Sequence, residues 1–68
     1  MNDTVWSDSA AVGDFDVGER VELHPATDTW MRGDKYGDVV RLGYKYVHVK
    51  LDKSGRTLAL SPRNLRPL

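Results

Sequence analysis

The segment Tyr46-Val47-His48-Val49-Lys50-Leu51 decides the fold class. Apolar and polar side chains alternate along it, which is the period-two pattern of a strand with one buried and one exposed face. Val47, Val49 and Leu51 are therefore predicted to point into a core, and the tyrosine, histidine and lysine are predicted to point outward. A chain organised around such a strand is predicted to be all-β.

Two further strands are predicted before this segment. Arg20–His24 alternates polar and apolar residues, and a proline then ends the pattern. Tyr36–Leu42 is also strand-like, but its alternation breaks at Val40, which predicts a β-bulge or a strong bend. Residues 25–35 are rich in turn-forming residues and are predicted to be a long loop.

Two more strands are predicted after it, separated by short turns. The glycine of Gly43–Lys45 is predicted to take the positive φ of a tight hairpin, and Asp52–Gly55 is predicted to be a type I turn closed by a left-handed glycine. Arg56–Leu60 is the fourth strand. Ser61–Asn64 places a proline at the first helical position, so a single 3₁₀ turn is predicted before a short edge strand over Leu65–Leu68.

Residues 1–17 lack a sustained period and are predicted to be a flexible acidic tail in front of one domain over residues 18–68. Residues 1–19 carry five acids and no base, a sum of −5, whereas residues 20–68 hold ten bases against five acids, and 10 − 5 gives +5. This asymmetry is typical of an acidic tail on a basic binding domain, although a solvated tail that only maintains solubility gives the same pattern. Trp6 and Phe15 either dock on the domain or wait for a partner.

Several classes of function find no support in the sequence. There is no cysteine, so neither a disulfide nor a thiolate is available. No secretory signal and no apolar run of membrane-spanning length is visible, so we expect a cytoplasmic protein that binds no membrane.

Catalysis and metal binding are not expected either. The serines have no neighbouring histidine pattern, there is no glycine-rich phosphate loop, and a small filled barrel leaves little room for a small-molecule substrate. His24 and His48 lack a third ligand, so we predict no metal and no cofactor. Arg32-Gly33-Asp34 spells a cell-adhesion tripeptide, which we take as chance within a turn.

The order of these elements resembles the SH3-like barrel, with residues 25–35 in place of its long first loop. The stretch Gly37–Gly43 followed by Tyr46–Val49 is similar to the KOW and Tudor-like branch, in which a Gly-x-Val strand leads through a tight turn into a second apolar strand. The resemblance covers residues 18–68 and implies a small five-stranded barrel. Such barrels bind RNA, DNA, proteins or methylated side chains, so it implies binding without naming the partner.

Rings and cations mix on the predicted outward side of the sheet. Aromatic side chains stack on bases, and lysine and arginine neutralise phosphates, so the pattern predicts DNA or RNA binding, although an ordinary solvated face has a similar composition. We expect a small accessory protein of a bacterium or bacteriophage. The predicted nucleic-acid-binding residues are Arg41, Tyr44, Lys45, Tyr46, His48, Lys50 and Arg56.

The alternative is a protein-interaction adaptor, with homo-oligomerisation as one form of it. Trp30 and Met31 lie in the middle of the long loop, where solubility does not call for large apolar side chains. Together with Phe15 they are predicted to anchor a protein partner, and the cations would only steer its approach. A loop tryptophan folded over an open end of the barrel explains Trp30 equally well.

Overall fold

The computed structural model describes residues 10–68, and it is an all-β fold with few helical turns. Five strands form one antiparallel sheet in the order β4-β3-β2-β1-β5. The strands are β1 (Arg20–Leu23), β2 (Tyr36–Leu42), β3 (Val47–Leu51), β4 (Thr57–Leu60) and β5 (Leu65–Pro67). One helical turn, α1 (Asp28–Met31), separates β1 from β2, and the 3₁₀ turns η1 (Val12–Asp14) and η2 (Pro62–Asn64) precede β1 and β5.

Strand β3 has the orientation that its alternation predicts. Val47, Val49 and Leu51 are at most 2% exposed. β3 pairs with β2 on one side and with β4 on the other, and the register against β2 shifts between Val39 and Arg41. The predicted bulge is therefore confirmed. The last strand is also confirmed as an edge strand, as its proline requires.

The core is small and closely packed. A Cβ atom on Gly37 would lie 2.6 Å from both the Lys50 carbonyl oxygen and Val49 Cγ1, so only glycine lets β2 and β3 approach this closely. Leu58 and Leu60 are partly buried against the core. The fully enclosed apolar side chains are Phe15, Val21, Leu23, Val39, Val47, Val49, Leu51 and Leu65.

The segment before β1 belongs to the packed domain, which corrects the expectation of a tail ending at residue 17. Phe15 is 3% exposed within the core, and Val12 packs against the same cluster. The amide of Gly18 donates to the Val39 carbonyl at 2.7 Å, so the chain is already joined to β2 before β1 begins. Of the two alternatives for Phe15, the structure shows docking. Trp6 lies outside the described residues.

Two turns differ from their predictions. Residues 25–35 contain α1, which begins after Thr27, whose hydroxyl oxygen accepts a hydrogen bond from the Trp30 amide at 3.2 Å. Gly55 takes a φ of +73° as predicted, whereas Gly43 is not among the positive-φ glycines of residues 10–68. The Gly43 amide donates to the Tyr46 carbonyl at 2.9 Å, so Gly43 continues the pairing of β2 with β3, and Tyr44 and Lys45 form the turn itself.

Replacing Phe15→Ala is expected to lower the free energy of unfolding by about 3–5 kcal/mol, because it removes a ring from a core that cannot collapse around the cavity. Urea unfolding followed by circular dichroism measures this change. Val17→Ala is the matched control: the Val17 side chain is 63% exposed, so its removal is expected to change the same quantity by no more than about 0.5 kcal/mol. Equal stability of Phe15→Ala and the natural chain would contradict the core assignment of Phe15.

Candidate nucleic-acid interface

One side of the sheet turns away from the core and carries three of the predicted binding residues. Lys50 lies opposite Asp38, and His48 lies opposite Arg41, in the register between β3 and β2. His48 and Lys50 flank the buried Val49, and neighbouring residues of a strand point to opposite faces. We call the side of β2 and β3 that carries Arg41, His48 and Lys50 the outer face.

Two rings and another cation lie at the end of the same hairpin, between β2 and β3. Tyr44 is 95% exposed and Tyr46 is 49% exposed, and the Lys45 side chain is exposed as well. Six of the seven predicted nucleic-acid-binding residues therefore lie on one hairpin. We call them the hairpin cluster: Arg41, Tyr44, Lys45, Tyr46, His48 and Lys50.

The seventh predicted residue, Arg56, lies elsewhere. Its side chain lines a cleft together with Leu51 and Leu58, whose side chains are on the core side of the sheet. Thr57, which follows it, lies opposite Lys50 in the β3–β4 register. Alternation therefore turns Arg56 away from the outer face, and the prediction that it flanks that face is wrong.

Most acids near the outer face are engaged by arginines outside the hairpin cluster. Arg20 bonds to Asp38 Oδ1 at 3.0 Å and holds both carboxylate oxygens of Asp52, at 2.7 and 2.8 Å. Arg66 bonds to Glu22 Oε1 through two nitrogens, at 2.7 and 3.0 Å. These pairs partly neutralise the carboxylates that would otherwise repel an anionic ligand.

Arg20 and Asp52 each stabilise the charged form of the other. The hydrogen bond from Arg20 is the main reason that the pKa of Asp52 lies below its ordinary value. In turn, the hydrogen bonds to Asp52 and then to Asp38 raise the pKa of Arg20. The groups are exposed, so their pairing fixes the local charge distribution more than it stabilises the fold.

The cations of the hairpin cluster are not compensated in this way. Within residues 10–68, Arg41, Lys45 and Lys50 form no ion pair and no side-chain hydrogen bond. Lys50 lies opposite Asp38, but the carboxylate of Asp38 bonds to Arg20 instead. Among the described residues, the hairpin therefore presents three cations that form no ion pair, beside two exposed rings.

The residues predicted for a protein partner are not all presented to solvent. Phe15 is in the core, so it cannot serve as an exposed anchor. Trp30 is half-buried, with Lys35 Nζ 5.0 Å from its ring centroid, and its neighbour Met31 is 70% exposed. Only α1 therefore presents part of the predicted partner surface.

The Arg-Gly-Asp tripeptide and His24 both take part in hydrogen bonds within the fold. The Asp34 carboxylate of the Arg-Gly-Asp tripeptide is buried and accepts a hydrogen bond from the Ser54 amide at 3.0 Å. His24 Nδ1 accepts a hydrogen bond from the Ala26 amide at 3.0 Å. Among residues 10–68, no three histidine or carboxylate side chains lie together as a metal-binding group. In the same part of the chain, no helix is long and apolar enough to span a bilayer.

The sequence did not reveal two features of this arrangement. Arg20 bonds to Asp38 and Asp52, which follow it by 18 and 32 positions in the sequence. The cleft beside Arg56 lies between α1 and the turn that joins β3 to β4. Neither has a local sequence signal. The sequence showed only that acids are concentrated in residues 1–19 and bases in residues 20–68.

Comparisons with protein-family models, with curated proteins and with solved structures give no match to this chain. The resemblance to the KOW and Tudor-like branch therefore depends on the residue pattern of β2 and β3 alone.

Proposed function

We propose that this chain is a non-catalytic module that binds single-stranded DNA or RNA through the hairpin cluster. The observation that carries the proposal is the combination of three cations, Arg41, Lys45 and Lys50, with no ion pair inside residues 10–68, and the exposed rings of Tyr44 and Tyr46. Cations that track phosphates and rings that stack on bases are the two components of single-strand recognition. Because its proposed partner is nucleic acid, the proposed location is the cytoplasm.

An unpaired strand fits this surface better than a duplex does. Tyr44 is almost fully exposed on a turn, where its ring is open to stack on an unpaired base, and Tyr46 is half-exposed beside it. In a duplex the bases are already stacked on one another, so these rings would gain little. His48 adds a ring that can stack or form a hydrogen bond between the two cationic positions of the outer face.

We further propose that the sheet curls into an SH3-like barrel of the KOW and Tudor-like kind. Support comes from the order of elements and from β1, which pairs with both β2 and β5. The helical turn within the long β1–β2 connection and the 3₁₀ turn before β5 have the positions expected for that fold. Among the described residues, β4 and β5 are not joined by hydrogen bonds, so closure would rest on side-chain packing.

The double variant Arg41→Ala/Lys50→Ala is expected to bind a short labelled oligothymidylate at least about tenfold more weakly at low salt. Each lost phosphate contact is also expected to reduce the slope of log K against log salt by about 0.7, because fewer counterions are released. Fluorescence anisotropy at several salt concentrations measures both quantities. Arg63→Ala is the control, since Arg63 is an exposed arginine of η2, outside the hairpin cluster.

No affinity of the natural chain for DNA or RNA, even at low salt, would overturn the proposed function. Equal losses in the double variant and in Arg63→Ala would overturn the proposed interface. If oligonucleotide binding is absent and Trp30→Ala abolishes capture of a protein partner, the adaptor function holds instead. The adaptor alternative is supported by the exposure of Met31 beside Trp30.

Tyr44→Ala is expected to weaken oligonucleotide binding by about 1–3 kcal/mol without changing its salt dependence, because it removes a stacking surface and no charge. Tyr44→Phe is expected to retain the affinity, since the ring remains. The same anisotropy titration measures both variants. The free energy of unfolding should not change, because the Tyr44 side chain is 95% exposed. A salt slope altered by Tyr44→Ala, or an unchanged affinity, would contradict stacking.

The acidic residues before η1 are expected to weaken binding by competing for the hairpin cluster. A truncation at Val17 cannot test this, because it removes Phe15 from the core. The variant Asp3→Asn/Asp8→Asn keeps the chain length and alters only positions outside the described residues. We expect it to bind oligothymidylate a few-fold more tightly at low salt, with the gain lost at high salt, where screening acts within about 3–10 Å. An identical affinity at low salt would contradict competition.

A further inference from the structure

A cleft of about 170 Å³ opens between the α1 segment and the turn that joins β3 to β4. Leu51 and Leu58, on the core side of the sheet, form its apolar part. Thr29 and Arg32 line it from the α1 segment, and Arg56 lines it from the beginning of β4. The cleft is therefore separate from the outer face, although Arg56 was predicted to belong there.

One buried carboxylate holds the two walls of the cleft together. Asp34 is 9% exposed, and its Oδ1 accepts a hydrogen bond from the Ser54 amide at 3.0 Å. Its own amide donates to the Thr29 carbonyl at 3.1 Å, which ties the carboxylate to the end of α1. The shape of the cleft is thus fixed by the fold before any ligand arrives, which lowers the ordering cost of binding.

Positive charge exceeds negative charge around the cleft. Within residues 10–68, Arg32 and Arg56 both line it and neither forms an ion pair. Lys53 reaches over the adjacent Gly33, where a Cβ atom would lie 2.7 Å from Lys53 Nζ. Among the residues that line the cleft, two arginines against the single carboxylate of Asp34 leave +1, since 2 − 1 = 1.

The polar groups of the cleft are mainly hydrogen-bond donors. Ser54 Oγ accepts a hydrogen bond from the Arg56 amide at 3.3 Å, and a hydroxyl that accepts one bond can still donate its own proton to a ligand. The Thr29 hydroxyl can donate in the same way. Arginine forks match the oxygens of phosphate with two parallel hydrogen bonds, and two arginines line this cleft.

We propose that this cleft binds a phosphate monoester, with Arg32 and Arg56 as its principal ligands. A monoester carries about −1.5 to −2 at neutral pH, and the two arginines, with Lys53 beside the cleft, would offset this charge. The cleft is smaller than the roughly 300–1,000 Å³ of sites for drug-sized molecules, so it suits a phosphoryl group whose remainder stays outside. Such a group belongs either to the 5′ end of a nucleic acid or to a small phosphorylated compound.

Titration of the full chain with phenyl phosphate at constant ionic strength, followed by amide chemical shifts, tests the site directly. We expect saturable shifts at Arg32, Gly33, Ser54 and Arg56. Arg32→Ala and Arg56→Ala are each expected to weaken binding about tenfold or more, as loss of a charged hydrogen-bond donor does. Arg56→Lys keeps the charge without the fork, so it should retain only part of the affinity.

Two controls separate this site from the hairpin cluster. Arg63→Ala and Arg41→Ala/Lys50→Ala should both bind phenyl phosphate as the natural chain does. Oligonucleotide binding can fail while phenyl phosphate still binds, so the two proposals fail separately. Shifts that do not saturate, that sodium chloride reproduces, or that Arg63→Ala reduces equally would overturn the phosphate site, and the dispersion of the spectrum shows that each variant is folded.

A comparison of oligothymidylates with a 5′-phosphate and with a 5′-hydroxyl identifies the source of the phosphate. Tighter binding of the phosphorylated strand, with the gain lost in Arg32→Ala, supports a nucleic-acid end. Saturable binding of phenyl phosphate with no gain for the phosphorylated strand supports a small phosphorylated compound. If neither probe binds at the cleft, the proposal is wrong.

Discussion

The alternation of β3 is the constraint on which the rest of the molecule depends. Its three inward side chains, Val47, Val49 and Leu51, lie in the centre of the core, and both β2 and β4 take their register from it. A slip of one residue would turn these side chains to solvent and bring His48 and Lys50 into the core. The outer face therefore exists because the opposite face is required for folding. The cations of this face lie close together because burial of the opposite face fixes the register between β2 and β3.

The small size of the core explains why the segment before β1 is part of the domain. A chain of this length buries only about 60% of its unfolded surface, so each large side chain contributes a large share of the core. Phe15 is the only phenylalanine in the sequence and one of eight buried apolar residues in residues 10–68. The surrounding acids have local roles: Asp14 accepts a hydrogen bond from the Ala11 amide at 2.8 Å, and Glu19 accepts one from the Asp16 amide at 3.1 Å. Part of the acidic segment thus shapes a turn and is not a free tail.

The sequence was informative wherever structure depends on neighbours along the chain. Alternation located the strands up to β4, the break at Val40 located the bulge, and Pro62 located the 3₁₀ turn that precedes the predicted last strand. It was misleading where structure depends on distant contacts. A ring in a polar, acidic segment has no local sign of burial, so the sequence left open whether Phe15 docks on the domain or anchors a partner. Arg56 directly precedes β4, and only the register with β3 shows which face it joins. Gly43 was predicted to have a positive φ because the sequence did not show that this glycine pairs with Tyr46, outside the turn itself.

The formal net charge of zero conceals an uneven distribution of cations. Arg20 and Arg66 bond to carboxylates, Lys35 lies over the Trp30 ring, and Arg63 stands apart on η2. The six that remain divide equally: Arg41, Lys45 and Lys50 on the hairpin, and Arg32, Lys53 and Arg56 around the cleft. A ligand responds to charges within about a Debye length, roughly 10 Å at moderate salt, and hardly to the total. The clustering of cations is therefore what makes a neutral chain a candidate for binding anions, and Arg20 supports it because it partly neutralises Asp38, the acid opposite Lys50.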